Sequence, residues 1–517
     1  MDEAKANGLE VPPVINIHGF ANGGKTFPIG ISQLIGVMGI EGVISATDVY
    51  PGHIGEDNFH QMLLVNEMTK ALQNKEQPLF SVEFQAGGNQ DFGGGQSSLY
   101  DLHTRLCISS GMRAINHYLF FDGENDPILS PFKRHDWGHP VRKDGSLRKH
   151  SYRYPRLSKV LAAYGSNLVR SRPQTVTTVG FLLDYFRTEV NTPFTQEASN
   201  ILTHQRDDIL FDMIARGLAL THRPFDAIEI SRARLNVSKT PLLWVMMEKQ
   251  CDAAVQQKLL DYARAGGKLV LVGRMCVEEF DHSACTILKD GLGVKQIDGG
   301  KPFVWENINV FDYQDVPVSF AETYSGEFDD AFAKRPDGGI VGFVKTVGSG
   351  RLMLFGATLP AYNLGDLDIV HQMALKMGCL SLFKLSEWAD ARISRSEDGS
   401  FLFINNYQDD PLETTMSYEN RVLFGGKAIC LPARRGAILP LEWRFRDGIL
   451  IHYVTSEITE LVENGMTIGL KTDQPEFSAE MTLAGYTCER GILMSTGRVL
   501  VNGKEGAILL KKEVVHG

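Results

Sequence analysis

Glu83, in the run SVEFQAGG, is the residue whose type and setting are best suited to chemistry. A carboxylate at the end of a β-rich run, followed by an aromatic residue and a Gly pair, can be reached by a substrate. It can then serve as a nucleophile or as a general acid/base. A strand-end glutamate paired with a basic neighbour has the same local pattern, so the company it keeps decides between the two. GVISATDVYPG (42–52) carries Asp48 and Tyr50 to its own end, and MRAINHYLFFDGEN (112–125) carries Tyr118, Asp122 and Glu124. Asp48, Tyr50, Tyr118 and Glu124 are candidates for binding polar groups of a substrate. Trp137, in HDWGHPVRKDG (135–145), offers a flat aromatic face for stacking. His18 reads more simply as a satisfied strand-end histidine. GFANGGK (19–25) lacks the spacing of a phosphate-binding loop.

These residues need elements that bring them to one end of a sheet. VPPVINIHGF (11–20), 42–52, PLFSVEFQAGG (78–88) and 112–125 are β-rich runs, with helical stretches between them. The stretch 58–74 places Phe59, Met62, Leu63, Met68 and Leu72 near helical spacing, and SLYDLHTRLCISSG reads as an amphipathic helix. Continuous strands separated by single helices predict a parallel sheet covered by helices, with the reactive residues at the C-terminal strand ends. That is the layout of a (β/α) barrel, but only four of the eight strands needed for closure are found. The α/β rhythm resumes after about 175. TVTTVGFLLDY and TPLLWVMM (240–247) are strands, a helix lies between Arg206 and Leu220, and DAAVQQKLLDYARAGG is a helix capped by Gly266 that feeds KLVLVG. GGIVGFVKTVGSGRLMLFGA closes the segment as a hairpin. Beyond about 388, short alternating runs such as FLFINNY, GAILPL, GILIHYV and RVLVNG predict an antiparallel β-sandwich.

The barrel-like runs resemble those of glycoside hydrolase family 35. SVEFQAGG is similar to that family's nucleophile strand. NHYLFFDGEN is similar to its next strand through Tyr118, Phe120, Gly123 and Asn125, while Asp122 and Glu124 depart from the family's Gly and Thr. In 135–145, Asp136, Pro140 and Gly145 match, and Gly138 replaces an acid. The middle segment resembles the amidotransferase-like domain of family 42 β-galactosidases. Cys276, in GRMCVEE, lacks the Gly-x-Cys-x-Gly turn of an amidotransferase, which implies a structural or oligomerisation role. Residues 1–172 are thus expected to form the second half of a (β/α)8 barrel, strands five to eight. Residues 173–387 are expected to form a flavodoxin-like α/β domain, and 388–517 the β-sandwich. The resemblance implies a retaining exo-acting β-glycosidase, β-galactosidase-like or exo-β-glucosaminidase, with Glu83 as nucleophile. On such a substrate the Trp137 ring is a candidate to stack on a pyranose, with core packing as its alternative.

A retaining mechanism needs two carboxyl groups about 5–5.5 Å apart. In the family the acid/base belongs to an Asn-Glu pair on the fourth strand. The Asn66-Glu67 pair of this chain falls in a helix that covers the sheet, so Glu67 is expected to be solvated or salt-bridged. The acid/base is therefore expected on a second polypeptide bringing barrel strands one to four, because open parallel edges aggregate unless covered. A non-catalytic sugar-binding or assembly subunit, or an inactive remnant, is the alternative.

The remaining features bound the reading. A net charge of −10 without a basic stripe argues against nucleic acid, and no apolar run is long enough to span a membrane. Seven cysteines dispersed at 107, 251, 276, 285, 379, 430 and 488 suit a reducing, cytoplasmic setting. Neither a metal nor a cofactor is called for, since His282 and Cys285 have no second ligand pair nearby.

Overall fold

The computed structural model describes the chain except for residues 1–2, 4–5, 22–24, 26–42, 75–76, 87–95, 132, 137, 189–190 and 514–517, and the side chains of 18–21. The chain forms two compact units. One comprises 1–66, 73–174 and 382–517, and the other comprises 67–72 and 175–381.

In the first unit, strands β1 (Val14–Ala21), β2 (Ile44–Tyr50), β3 (Leu79–Gln85) and β4 (Met112–Tyr118) pair side by side in chain order. Every pairing is parallel. Helix α1 (Phe59–Leu72) connects β2 to β3, α2 (Leu99–Ser109) connects β3 to β4, and α3 (Arg153–Arg170) follows β4. The bounds of β2, β3, β4, α1 and α2 fall inside the segments expected from sequence, because β-branched and apolar runs flanked by turn residues specify buried parallel strands. β1 runs one residue past its segment, and α3 was not named from sequence. One face of the sheet is apolar and packs on helix. Phe84 stacks on His103 of α2 with ring centroids 4.3 Å apart, and His117 meets Tyr100 and Tyr154. The opposite face is polar and carries Asn16, Asp48, Tyr50, Glu83 and Tyr118. Among the described residues, β1 and β4 are each paired on one side only.

Helix α2 departs from the expected amphipathic surface helix, for every one of its residues is buried. Its outer face is covered by two strands of the C-terminal region, β11 (Gly399–Asn406) and β12 (Arg435–Arg446). They belong to an antiparallel sheet of eight strands among the described residues, accompanied by smaller antiparallel sheets. Polar side chains of α2 that sequence assigns to solvent are met by partners from far along the chain. Fully buried Arg105 donates through Nε and Nη2 to the two oxygens of Glu457, at 2.9 and 2.7 Å, and through Nη1 to Asp101 at 2.7 Å. The backbone N–H of Ile438 also donates to Glu457, at 2.8 Å. Arg156 and Arg435 bind Asp473 alongside. Three arginines thus face three carboxylates, and although burial works against the Arg105 charge, Asp101 and Glu457 outweigh it and raise its pKa. Tyr164 of α3 adds a neutral link, accepting from Ile458 N–H and donating to the Ile438 carbonyl at 2.7 Å.

The second unit has a parallel core of β5 (Thr177–Phe181), β6 (Phe225–Glu229), β7 (Leu242–Met247), β8 (Lys268–Gly273) and β10 (Gly350–Phe355). Its spatial order is β10, β8, β7, β5, β6. The expected doubly wound pattern holds for this core alone. β9 (Ile340–Val347) turns back on β10 through Gly348, at φ 58°, so the sheet continues antiparallel through Asp330–Lys334, Glu306–Val310 and Tyr313–Val318. The result is a mixed sheet. The helix expected between Arg206 and Leu220 starts earlier, at Gln196, and its stretch Arg206–Ala215 is π-helical. The helix Ala253–Arg264 ends as expected on Gly266, at φ 106°. Cys276 is buried against Met247 sulfur at 3.5 Å, so it is not presented as a nucleophile. His282 pairs with Glu278 while Cys285 is buried. Glu322 is fully buried and accepts from Tyr324 hydroxyl and Met275 N–H at 2.5 and 2.6 Å, and burial lifts its pKa to about 8.

Two outcomes follow from these buried charges. Glu457→Ala should cost about 3–5 kcal/mol of unfolding free energy by stranding Arg105 without its bidentate partner. Chemical denaturation that shows a loss below about 1 kcal/mol would remove this cluster from the list of determinants of the fold. Glu322 binds its proton more tightly folded than unfolded. Its contribution to stability is therefore complete below its ordinary carboxylate range and lost as pH rises through about 8. Glu322→Gln should flatten the fall in melting temperature between about pH 5 and about pH 9, and an unchanged fall in the variant would show that this carboxyl does not titrate there.

Candidate active site

The polar face of the parallel sheet assembles the candidate site at the C-terminal ends of its strands. Alternation places Phe84 against the helices and Glu83 on the other face, where β2 lays Asp48 opposite it in register. The two Glu83 oxygens are held separately. Asn16 Nδ2 donates to Oε1 at 2.7 Å, and Tyr50 hydroxyl donates to Oε2 at 2.7 Å. Donors on both oxygens, from two neighbouring strands, fix the plane of the carboxylate. Tyr118 meets Tyr50 edge to face with centroids 5.9 Å apart. Burial drives the Tyr50 phenol far above its ordinary pKa, helped by the hydrogen bond to Glu83 and by the charges of Glu83 and Asp48. Tyr118 is raised by burial and then by the same two carboxylates. Both phenols therefore remain neutral donors at physiological pH.

The loops brace this arrangement. Gly52 N–H donates to Gln85 at 3.0 Å, and Gln96 clamps the backbone of Ile54 through its N–H and its carbonyl. Asn116 donates to the Val82 carbonyl at 2.9 Å, next to Glu83. A rigid half-buried carboxylate with two fixed donors suits nucleophilic attack on a carbon bearing a leaving group.

Of the six site residues named from sequence, the structure brings together Glu83, Asp48, Tyr50 and Tyr118. Glu124 is placed elsewhere. It lies on an exposed hairpin formed by Gly123–Glu124 and Arg134–His135, paired with Lys143 at 2.6 Å. Trp137 and the 19–25 loop lie outside the fully described residues, apart from Lys25. Asp122 is buried, taking His139 Nδ1 at 2.6 Å and Arg148 at 2.7 Å, so its acid braces the loop after β4. Glu67 is buried and paired with Lys70 at 2.6 Å. Sequence reasoning missed Asn16. Its signal was an isolated polar residue between Ile15 and Ile17, on the same alternation that places Glu83.

Comparison with known proteins places this geometry in context. Residues 194–330 match the family model described as GLMA-like, second domain. A β-1,2-glucosyltransferase of Ignavibacterium album is 21% identical over 429 residues, covering 79% of this chain and 59% of that enzyme. An exo-β-D-glucosaminidase of Thermococcus kodakarensis is 29% identical over 193 residues, 36% of this chain and 24% of that enzyme. Among solved structures, the catalytic mutant of a family 42 β-galactosidase from G. stearothermophilus superimposes with a TM-score of 0.64 at 12% identity, over 83% of this chain and 64% of its own. The chain has a family 42 β-galactosidase-like fold. The likeness expected for the middle segment thus extends over most of the molecule, while this chain spans less than two thirds of each relative.

The two acids beside the site should behave differently when removed. Asp122→Ala strands buried Arg148 and should lower stability by about 3–5 kcal/mol. Glu124→Ala should leave it essentially unchanged, as expected of an exposed pair. Denaturation curves for the two variants decide the matter, and equal losses would contradict the placement of these side chains.

Proposed function

We propose that the chain is the nucleophile-bearing part of a retaining enzyme that processes β-linked glycosides, β-galactosidase-like in its reaction. The observation that carries this reading is the doubly held Glu83 carboxylate on the polar face of a parallel sheet. In the first step a Glu83 oxygen attacks the anomeric carbon. The bond to the glycosidic oxygen breaks, and a second carboxyl group protonates the departing oxygen. Water then displaces the covalent glycosyl ester, giving a proton back to the second carboxyl group and regenerating the Glu83 carboxylate. Asn16 and Tyr50 hold the attacking carboxylate, and Tyr118 remains protonated to donate to a sugar hydroxyl. Asp48 accepts from such hydroxyls. If a sugar hydroxyl displaces the ester in place of water, the same machinery transfers the glycosyl unit. The distant similarity to a β-1,2-glucosyltransferase favours testing that outcome beside hydrolysis, and the similarity to an exo-β-D-glucosaminidase adds glucosaminides to the sugars to be tried.

In this reading the acid/base carboxyl comes from a second polypeptide that adds barrel strands one to four to this half barrel. Two features support it. β1 and β4 each have one unpaired side among the described residues. Beside β4 lies a cavity of about 280 Å³ whose lining is mainly apolar, with Ile108, Met112, Ile115 and Leu168 beside Arg113 and His117, a surface that a further βα unit could cover. Residues 175–381 would serve subunit contacts, with 1–172, 173–387 and 388–517 as the functional divisions.

Glu83→Gln keeps the shape and the contact with Tyr50 but removes the nucleophile. Turnover of aryl β-glycosides by the active assembly should fall by more than about a hundredfold, with assembly and melting temperature unchanged. Retention of more than about one-hundredth of activity would sink the assignment. The purified chain alone should be inactive on the same substrates, and full activity from the lone polypeptide would refute the requirement for a partner.

A further inference from the structure

We propose that the mouth of the parallel sheet carries a separate site for an oxyanion, and that the glycoside processed there bears a phosphate, sulfate or carboxylate group. The word glycoside rests on the reading of Glu83 given above, whereas the anion site stands on its own cavity. That cavity, of about 480 Å³, is lined by Arg142, Arg148, Lys149, His150, Tyr152 and Arg153, with Ser97 at its edge. Topology puts it at the same end of the sheet as Glu83. Ser97 lies in the connection from the end of β3 to α2, and the other residues lie in the connection from the end of β4 to α3. Both connections leave the C-terminal ends of strands. In closed barrels of this construction, the loops after the last two strands are a recurrent place for phosphate groups.

Charge accounting points the same way. Arg148 is neutralised by Asp122 at 2.7 Å, and Arg142 donates to the Leu147 carbonyl at 3.1 Å with exposed Asp144 nearby. Among the described residues, neither Lys149 nor Arg153 has a carboxylate partner. Arg153 Nε is shielded from solvent and has no hydrogen-bond acceptor, and its guanidinium lies 5.1 Å from the centre of the Tyr152 ring. Solvated surface lysines and arginines need no explanation, but a shielded guanidinium nitrogen without an acceptor in a concave cationic site does. The planar fork of Arg153 beside the Lys149 ammonium suits an oxyanion, which would supply the absent acceptor. The feature is a concave pocket on an acidic protein of net charge −10, not a basic stripe, so it fits a small anionic group better than a nucleic acid.

The test titrates the full chain with inorganic phosphate, sulfate and acetate at constant low ionic strength, followed by calorimetry. Saturable binding at one site is expected for wild type and for Glu83→Gln. In Lys149→Gln combined with Arg153→Gln it should weaken about tenfold or more. Arg153→Lys, which keeps the charge and loses the fork, should fall between the two. The melting temperature without anion should be unchanged, because neither side chain has an acidic partner to lose. Stronger binding of phosphate and sulfate would identify a phosphorylated or sulfated sugar, and stronger binding of acetate a uronic acid. The absence of saturable binding, or equal affinity in the double variant, overturns the site. Turnover by the active assembly is then compared for an aryl β-glycoside and its counterpart carrying the preferred anionic group, with the free anion as competitor. Inhibition confined to the charged substrate supports the link to catalysis, and identical behaviour of the two substrates overturns it. If no glycoside is turned over, the nucleophile reading fails while the titration still decides the anion site.

Discussion

Arg105 holds a full positive charge where no water reaches it, and the first unit is arranged around that fact. A guanidinium so placed is tolerable only if carboxylates meet it in a bidentate geometry, because the desolvation penalty of an isolated buried ion exceeds any packing gain. Asp101 comes from the same helix turn, but Glu457 lies 352 positions away. The two can meet only if the C-terminal antiparallel sheet is laid over α2. Once it is, Ile438 N–H completes Glu457, and Tyr164 ties α3 to the same sheet. The ion cluster therefore specifies which surface covers the helix layer, where apolar packing alone would tolerate several registers.

This covering matters at the other face of the sheet. A parallel sheet buried on both faces would be apolar throughout, but here the second face carries amide, phenol and carboxylate groups. Such a face needs rigid support from behind, since small shifts between neighbouring strands would break the 2.7 Å contacts to Glu83. Phe84 on His103, and Tyr100 stacked on Tyr154 at 4.0 Å, provide that support with flat, interlocked rings. Burial keeps His103 neutral, with its pKa pushed down to about 3, so no charge competes with the Arg105 cluster beside it.

The strands were legible in the sequence because their signal is local. Runs such as VPPVINIHGF and PLFSVEFQAGG declare themselves within ten residues, and alternation then assigns Glu83 to the polar face. The environment of α2 was not legible. Asp101, Thr104 and Arg105 sit at the spacing of a solvent-facing stripe, and only the distant Glu457 turns that stripe inward. Asn16 was overlooked for the same reason, for its role depends on a carboxylate 67 positions on. In the second unit, β5, β7, β8 and the β9–β10 hairpin were readable from their own residues, whereas β6 and the strands Glu306–Val310, Tyr313–Val318 and Asp330–Lys334 were not named from sequence. The switch from parallel to antiparallel pairing was not readable, because pairing direction depends on partners that no single run encodes. Asp122 shows the converse. In sequence it stands only as a departure from the glycine of a resembling family, whereas its contacts to His139 and Arg148 make it a loop brace.

That brace connects two regions of opposite charge on one sheet end. Glu83 and Asp48 make the centre of the polar face negative, which adds to burial in making both neighbouring phenols hold their protons firmly. The loop after β4 is rich in arginine, and Asp122 cancels only one of those charges. If Asp122 were absent, Arg148 would join the other cations and the loop would repel itself. If its arginines were absent, the carboxylates would present an uncompensated field to any negatively charged substrate. Under the proposed reading, cations on the loop after β4 would spare an anionic ligand from facing the carboxylates alone. That arrangement of charge follows from where β3 and β4 end, since both connections leave the same end of the sheet.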